Sequence, residues 1–379
     1  MTTSATLRAP LRALTTWATM VWSLILLTTG GVVKMSLNNR IMRRGAVTMA
    51  AALMTSSVLV TGAIDATSAS AKSYLSISVG IALSPPKVVF MAPYVAQAQG
   101  FFAQEGLQAN LISMPNGLST ELGTTAGSIN FGLSAATDSV EAAAANAPIH
   151  AIASYGAKLD TECVAAPGYN TAAALRGQNV GTTGAGGFAA TTLAACLKPL
   201  GLTLNDVHPV VMTRSQFVGA LAQGAIKVAS FHADDAYTVL HQIKGSVVID
   251  KQYQSLPNWW YGGVSSLDSY TKTHPSVTEH FLAALILANN WINNPKNFNA
   301  LVNLAVHATG EDKAAVVYAL KFNIAAKSFS TAVTPAMVNW TSNECKVVGD
   351  TTTVPTYSQI VNNKYLNAAV ALVKSQSKG

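Results

Sequence analysis

The chain carries few charged side chains, and most of its positive excess lies at one end. Only 11% of its 379 residues are charged while 50% are hydrophobic, a balance too apolar for an intrinsically disordered chain. Six of the 24 Lys and Arg residues but only one of the 17 Asp and Glu residues lie in residues 1–71. Residues 72–379 therefore hold 18 bases and 16 acids, a net charge of +2. Without a basic surface to neutralise phosphates, nucleic acid is not expected as a partner.

Cysteine and metal-binding patterns are also scarce. The three cysteines, Cys163, Cys196 and Cys345, lack the paired spacing that binds zinc or iron–sulfur clusters. The seven histidines show no H-x-x-x-H or H-E-x-x-H spacing, and no G-x-S-x-G nucleophile motif occurs. We therefore expect no metal, no cofactor and no catalytic residue. Either two of the cysteines form a disulfide, with three pairings open, or all three are buried thiols.

A basic and then apolar stretch near the amino terminus has the order of a secretory signal. Three arginines follow Met35, an apolar run covers 46–63, and small residues occupy 69–71. This order predicts an exported, periplasmic protein that is cleaved near Ala71 and begins near Lys72. The Sec and twin-arginine export pathways both stay open.

An earlier apolar run at 17–33 precedes this signal. It is shorter than the roughly 20 residues that a membrane-spanning helix needs, and it contains several Thr and Gly residues. We interpret Met35 as the true start and residues 1–34 as an untranslated extension. A membrane anchor formed by 17–33 is the alternative.

From residue 75 onward the chain alternates two apolar periodicities. Apolar and small polar residues alternate over 75–81, which predicts a strand, and apolar residues recur every three or four positions over 88–102, which predicts a helix closed by Gly106. Further strands are predicted at 109–114, 131–134, 149–153, 179–182, 207–212 and 228–231, with helices from Ser119, from Thr137 and through Cys196, and a mostly helical segment after Ser265. This alternation predicts an α/β fold with largely parallel sheets.

Several short motifs occur in an order that resembles one family. They are APYVA at 92–96, GFF at 100–102, EGL at 105–107, NG at 116–117, AGSINFG at 126–132, API at 147–149 and LRGQNVG at 175–181. Their order over about residues 75–265 resembles the nitrate-, sulfonate- and taurine-binding periplasmic proteins, a superfamily that also includes binders of thiamine precursors. The resemblance implies a type II periplasmic-binding fold, in which two α/β lobes joined by a hinge hold a ligand in the cleft between them.

The same resemblance implies a domain organisation and partners. Residues 72–160 and 263–379 are expected to form lobe one, and residues 161–262 lobe two. The expected partners are a small-molecule ligand and the membrane permease of an ABC importer, and we expect a monomer whose lobes close on the ligand by a hinge motion.

In the first lobe, the candidate ligand-binding residues lie in loops that follow predicted strands. Helix N-termini at such loops offer free backbone N–H groups and a positive dipole end. The candidates are Ser84, Asn116, Gly117, Ser134 and Thr137. Helix capping is the alternative role of their polar side chains.

In the second lobe, the candidates lie in the Gly-rich turn at 181–188. They are Thr183, Gly186, Gly187 and Phe188. Glycine there lets the backbone approach a small anionic or polar group without a β-carbon in the way. Gly184, Gly186 and Ala189 also match the G-x-G-x-x-A form of a dinucleotide fingerprint, with Asp206 downstream to meet a ribose. Dinucleotide binding is the second interpretation of this turn, because a secreted chain rarely uses NAD.

An acid pair and a tryptophan complete the candidates. Asp234 and Asp235 follow a predicted strand, where one carboxylate is expected to hold an ammonium group or a pyrimidine N–H. Their alternative role is to complement the dipole of a helix N-terminus. Trp259 either stacks on a planar ligand or packs in the core or hinge.

The donor groups of these candidates decide the predicted ligand. Hydroxyl groups and backbone amides favour an oxyanion, although Lys87 and Arg214, the nearest bases by sequence, are not clearly placed in the cleft. The resemblance implies the soluble exported binding component of an ABC importer, and the donor groups predict that it captures a sulfonate, nitrate or carboxylate. A thiamine-precursor-like pyrimidine is the alternative, because Asp234 or Asp235 favours an amine or ring N–H. An enzyme of the thiamine-precursor synthase type ranks lower, because the Cys-rich iron motif of those enzymes is absent.

Overall fold

The computed structural model describes residues 74–377 of the chain. The predicted signal at 1–71, its cleavage near Ala71, the start at Met35 and the apolar run at 17–33 lie outside the described residues and stay predictions. Among the helices of the described residues, none is both long and apolar enough to cross a membrane.

Ten strands occur within residues 74–377, and they form two five-stranded sheets. In chain order the strands are β1 (Leu75–Ile81), β2 (Leu107–Ser113), β3 (Phe131–Ala135), β4 (Ile149–Gly156), β5 (Thr161–Ala165), β6 (Asn179–Thr182), β7 (His208–Val211), β8 (Val228–His232), β9 (Val247–Lys251) and β10 (Gly262–Leu267). The first sheet has the order β2-β1-β3-β10-β4 and the second the order β7-β6-β8-β5-β9. The two orders are equivalent. The fourth position in each sheet is taken by a strand that the chain enters from the other sheet, β10 in the first sheet and β5 in the second.

Parallel pairing holds for only half of the strand pairs, so the prediction of largely parallel sheets is wrong in this respect. β1 runs parallel to β2 and β3, and β6 runs parallel to β7 and β8. By contrast, β10 is antiparallel to β3 and β4, and β5 is antiparallel to β8 and β9. The reason is the route of the chain. β5 and β10 each follow a segment that crosses from the other sheet and reaches the carboxyl ends of the parallel strands, so each runs antiparallel to its neighbours.

The helices cover both sheets and account for nearly all regular structure after β10. They are α1 (Met91–Ala98), α2 (Phe101–Gln104), α3 (Gly117–Thr125), α4 (Ala136–Ala144), α5 (Ala172–Leu175), α6 (Gly187–Leu197), α7 (Phe217–Ala222), α8 (Ala233–Gln242), α9 (Gln252–Ser255), α10 (Asp268–Thr273), α11 (Pro275–Ile292), α12 (Phe298–Thr309), α13 (Lys313–Ala325), α14 (Pro335–Val347), α15 (Tyr357–Ile360) and α16 (Lys364–Gln376). The mostly helical segment predicted after Ser265 is confirmed.

The single helix predicted over 88–102 is wrong, because the chain breaks it into three pieces. A 3-10 turn at Val88–Phe90 leads into α1, and α2 follows after Gly100. Gly100 has φ +74°, a left-handed conformation that ends one helix and starts the next. The apolar spacing still describes the buried side, because Val88, Val95 and Phe102 are all buried.

The helical segment after β10 packs on both sheets. Phe281 of α11 stacks on Phe131 of β3 with ring centroids 3.9 Å apart, which anchors α11 to the first sheet. Tyr318 of α13 donates its hydroxyl to the carboxylate of Glu162 in β5, at 3.0 and 2.9 Å, and its ring lies 5.5 Å from that of Tyr237 in α8. Helix α13 thus contacts the second sheet and its covering helix. The lobe boundaries predicted at 160 and 263 stay a prediction.

A disulfide joins the second sheet to its covering helix. Cys163 of β5 and Cys196 of α6 are bonded, with Cα atoms 5.3 Å apart. Cys345 of α14 is a buried free thiol. The structure thereby selects one of the three pairings that the sequence left open.

Removing this disulfide is expected to destabilise the fold. The bond closes a loop across a sequence separation of 33 residues, so its loss frees the unfolded chain and lowers the unfolding free energy by about 2–4 kcal/mol. Urea denaturation of the double variant Cys163→Ala, Cys196→Ala measures this loss. Thiol titration of the denatured, unreduced protein should find one free thiol; three free thiols would contradict the pairing.

Candidate functional site

The strand ends of the two sheets meet beside the crossover segments at 157–160 and 252–261. The carboxyl ends of β3, β6 and β8 each lead directly or through a short turn into the N-terminus of a helix, namely α4, α6 and α8. Helix α4 of the first sheet touches α6 of the second, because a β-carbon placed on Gly187 would lie 3.2 Å from Oε1 of Glu141. We call the residues around this contact the junction site: Thr137, Glu141, Gly187, Phe188, Asp234, Asp235, Trp259, Tyr261 and Asp350.

Among the predicted ligand-binding residues outside the junction site, three lie in exposed loops. Ser84 and Thr183 are exposed to solvent after β1 and β6. Asn116 is also exposed, and its side-chain oxygen accepts a hydrogen bond at 2.8 Å from the backbone N–H of Ser119. The capping role is therefore the one that the geometry supports for Asn116.

Ser134 belongs to a network inside the first sheet. It lies within β3 and donates its hydroxyl to Glu121 of α3, which also accepts the hydroxyl of Ser265 of β10 at 3.0 Å. Burial raises the pKa of Glu121, and its serine donors oppose this rise. Ser134 thus satisfies a buried carboxylate, which the sequence pattern of a serine before a helix did not indicate.

The N-terminus of α4 is organised by Asp138. Its carboxylate accepts the backbone N–H of Ala135 at 3.0 Å, and a β-carbon on Gly117 would collide with it. Gly117 is therefore explained by close packing against Asp138. Burial raises the pKa of Asp138 well above its ordinary value, and the charges of Glu121, Glu141 and Asp350 raise it further.

The N-terminus of α6, predicted to receive an anion, faces two carboxylates of the chain itself. Gly186 is extended and Gly187 is left-handed at φ +63°, so the turn needs glycine at position 187. A β-carbon on Gly186 would lie 2.9 Å from Oδ1 of Asp350, whose other oxygen lies 3.4 Å from the hydroxyl of Thr191. Burial, together with the charge of Asp350, raises the pKa of Glu141 to about 7.

The N-terminus of α8 is held by a buried lysine. Nζ of Lys87 lies 2.9 Å from Asp235, 2.6 Å from Glu311 and 3.9 Å from Asp234. Burial lowers the pKa of Lys87, but the charges of Asp234 and Asp235 and the hydrogen bonds to Asp235 and Glu311 outweigh burial and raise it. Burial also raises the pKa of Asp234, although Lys87 opposes this rise. Both aspartates lie in the first turn of α8, so they also complement the helix dipole.

Aromatic rings connect these helix ends. The ring of Phe188 lies 6.2 Å from that of Trp259 and 5.4 Å from that of Tyr261, edge-on in both cases. His232, at the end of β8, lies 6.2 Å from Tyr261, and its Nδ1 hydrogen-bonds Asp160 at 2.8 Å. Burial lowers the pKa of His232 while Asp160 opposes the decrease. Trp259 is fully buried, which agrees with packing in the core or hinge, one of its two predicted roles.

Five polar atoms of the junction site are buried without a hydrogen-bond partner among the described residues. They are Oγ1 of Thr137, Oε1 of Glu141, Oδ2 of Asp234, Oδ2 of Asp235 and Nε1 of Trp259. Buried polar groups are normally hydrogen-bonded, so such a group of unpartnered atoms in one region requires an explanation. A polar ligand that enters between the two sheets would supply the missing partners.

The dinucleotide interpretation of the Gly-rich turn is wrong. β6 runs parallel to β7, with Asn179 opposite His208 and Thr182 opposite Val211. Gly184 follows the carboxyl end of β6, whereas Asp206 precedes the amino end of β7. Because the two strands are parallel, Asp206 lies at the opposite end of the strands from Gly184. Asp206 forms an ion pair with Arg176, and its carboxylate accepts the backbone N–H of Thr203 at 2.9 Å. It therefore cannot contact a ribose bound at the Gly-rich turn.

The cavity of the described residues lies away from the junction site, and no metal-binding group occurs among them. A cavity of about 380 Å³ is lined by residues that include Asn130, Leu267 and Tyr270. It lies before the start of β3 and at the end of β10, at the opposite end of these strands from the junction site. Within residues 74–377, no group of three or more His, Cys, Asp or Glu side chains is arranged to hold a metal ion.

Sequence reasoning missed several residues in the junction site or beside it. The sequence indicates Lys87 only as a nearby base, and the available signal for its role is its position in the loop after β1. Glu141 and Asp350 were not predicted, because nothing near either residue in the sequence indicates that they meet at α6. Asp160 was missed as well, although it lies in the first crossover.

Comparisons with known proteins place this geometry in context. A family model described as NMT1/THI5 like matches residues 87–297. Among solved structures, the aliphatic sulphonate-binding protein SsuA from Escherichia coli has a TM-score of 0.62 at 14% identity, covering 75% of this chain and 91% of its own. The nitrate-binding protein NrtA from Synechocystis PCC 6803 has a TM-score of 0.62 at 10% identity, covering 80% of this chain and 90% of its own.

One of the similar structures is an enzyme. The desulfurization enzyme DSZB has a TM-score of 0.57 at 12% identity, covering 78% of this chain and 99% of its own. The comparison with curated proteins gave no match. At these identities the solved structures show the fold, and they confirm the predicted two-lobed type II fold.

Replacing Lys87 is expected to destabilise the protein strongly. In Lys87→Met, Asp234, Asp235 and Glu311 lose their shared cation, and removing one partner of a buried ion pair costs about 3–5 kcal/mol. Urea denaturation at pH 7 measures the loss. The control Lys272→Met, at an exposed position, should change the unfolding free energy little; equal effects of both variants would contradict the role of Lys87.

Glu141 is expected to make stability depend on pH. Its pKa is raised from an ordinary value of 4.5 to about 7 in the folded protein, so its favourable contribution is complete below pH 4.5 and is lost as the pH rises through 7. Glu141→Gln should therefore flatten the decline in unfolding free energy between these pH values. Urea denaturation across that range checks this, with Glu344→Gln as the control; an unchanged slope in Glu141→Gln would contradict the assignment.

Proposed function

Because the chain belongs to the NMT1/THI5-like family, we propose that it is the exported substrate-binding component of an ABC importer, holding a small polar molecule between its two lobes. The family match and the fold confirm the resemblance to the nitrate-, sulfonate- and taurine-binding superfamily that the sequence motifs carried. The proposed partners are the ligand and a membrane permease, and the proposed location is the periplasm.

The observation that carries the proposal is the set of unpartnered polar atoms in the junction site. Thr137 and Glu141 come from the first sheet's side, Asp234 and Asp235 from the second, and Trp259 from the crossover between them. A buried donor or acceptor left unsatisfied costs about 1–3 kcal/mol, so a ligand that satisfies several of these atoms gains affinity from them. Ligand binding between two lobes that close by a hinge motion accounts for this arrangement.

The charges of the junction site argue against the bare anion that the sequence predicted. The backbone N–H groups at the start of α6 remain an attractive feature for an anion, but Asp350 and Glu141 already face Gly186 and Gly187. A nitrate or simple carboxylate there would meet like charge. The two carboxylates favour a ligand with hydrogen-bond donors, which agrees better with the alternative pyrimidine ligand and its amino and ring N–H groups.

Reversible binding is proposed here rather than catalysis. The solved structures include import-system binding proteins and one enzyme, so the distinction requires an experiment on this chain. A small molecule that co-purifies with the protein and is released unchanged on denaturation, as identified by mass spectrometry, would support binding. Conversion of that molecule by the purified protein would contradict the proposal.

Placing a methyl group on Gly187 is expected to weaken binding of the co-purifying molecule. In Gly187→Ala the new β-carbon lies 3.2 Å from Oε1 of Glu141, so we expect affinity to fall about tenfold or more, roughly 1.4 kcal/mol. Gly201→Ala is a matched control, because Gly201 is left-handed at φ +67° near the other end of α6 and has open space around it.

Both glycine variants should lose about 1–2 kcal/mol of stability, because an L-residue in the left-handed region is strained. Only Gly187→Ala should also lose affinity, as measured by isothermal titration calorimetry. Equal affinity in the two variants would place the ligand away from the junction site.

A further inference from the structure

Four carboxylates, two of them in the junction site, lie together without a counter-charge. Glu121, Asp138, Glu141 and Asp350 act on one another electrostatically, since the charge of Glu121 and the charges of Glu141 and Asp350 raise the pKa of Asp138. None of the four forms an ion pair with a Lys, Arg or His of residues 74–377. The group is therefore a concentration of carboxylates to which the described part of the protein supplies no cation.

Two of these carboxylates are held within the first sheet and its helices, and the other two meet the start of α6, where Asp350 also accepts the hydroxyl of Thr191 at 3.4 Å. Glu121 accepts serine hydroxyls, and Asp138 accepts the backbone N–H of Ala135. Glu141 and Asp350, by contrast, lie against the consecutive glycines Gly187 and Gly186 at the start of α6. Oε1 of Glu141 is buried and has no hydrogen-bond partner among the described residues.

A separate observation indicates that a ligand contacts this position. Thr137 is 0% exposed, and its hydroxyl has no hydrogen-bond partner in the described chain. In α4, Thr137 precedes Glu141 by four residues, so the two side chains lie on the same face of the helix. That face meets the N-terminus of α6, because Glu141 approaches Gly187. A buried hydroxyl and a buried carboxylate oxygen thus lack partners on one helix face.

We propose that Thr137, Glu141 and Asp350 form a subsite for a primary ammonium group of the ligand, an inference that rests on the proposed function. A primary ammonium carries three N–H donors and one positive charge, which matches a hydroxyl and two carboxylates. Charge-assisted hydrogen bonds of this kind are about twice as strong as neutral ones. The ligand class is then an amine or an amino acid-like zwitterion.

Other occupants fit this subsite less well. An anion would replace the missing positive charge with further negative charge beside Asp350. A quaternary ammonium has no N–H to donate to Thr137 or Glu141. The side chains of residues 74–377 present no group arranged to hold a metal ion, so a bare cation is not favoured either.

Three pairs of probes test the proposal, each exchanging an ammonium group for a hydroxyl. They are ethanolamine and ethylene glycol, taurine and isethionate, and 4-aminobutanoate and 4-hydroxybutanoate. We expect the amine of at least one pair to raise the melting temperature of the protein and the hydroxyl compound to raise it less. Glu141→Gln or Asp350→Asn should weaken the amine by about 10- to 150-fold in calorimetry, the range set by a hydrogen bond to a charged group.

Glu344→Gln, at an acid of α14 outside the subsite, is the matched control and should keep the affinity for the amine. Equal shifts by both members of every pair, or a preference for the hydroxyl compounds, would overturn the ammonium subsite while leaving the proposed binding function in place. Unchanged amine affinity in both Glu141→Gln and Asp350→Asn would overturn it too. No stabilisation by any of the six probes would also overturn the subsite, and the co-purifying molecule would then decide the proposed function separately.

Discussion

The ammonium group of Lys87 joins three parts of the chain that are far apart in sequence. It extends from the loop after β1 to Asp235 at the start of α8 and to Glu311 before α13, and it is buried with all three carboxylates around it. Taking such a charge out of water is costly unless its partners satisfy it. The positions of the first sheet's loop, the second sheet's helix and the C-terminal helical segment relative to one another therefore depend on this one cation.

The two sides of the junction differ in how their charge is balanced. Near α8, the lysine neutralises part of the acid charge, and the aspartates keep one unpartnered oxygen each. Near α6, Glu141 and Asp350 have no cation of their own among the described residues. A molecule that enters between the sheets therefore meets acids near α8 that Lys87 partly neutralises, and acids near α6 that no cation of the described residues neutralises.

Local patterns in the sequence predicted the elements better than they predicted the site. The alternation over 75–81 located β1, and the Gly-rich turn located the start of α6, because both signals depend on neighbouring residues. The role of Asp350 was not predictable in this way, since its contact Thr191 lies 159 residues earlier in the chain. Ser134 was misread for a related reason, because its partner Glu121 becomes its neighbour only when α3 packs on β3.

The position of β10 in the first sheet affects the order in which the protein can assemble. Among the strands of residues 74–377, β4 pairs only with β10, and β10 ends at Leu267, after the whole second sheet has been made. While the chain is being synthesised, β4 therefore has an unpaired edge, the kind of surface that pairs wrongly with other strands. Contacts between such distant segments also form slowly. A nascent chain thus spends much of its synthesis with neither sheet complete, a state that needs protection from aggregation.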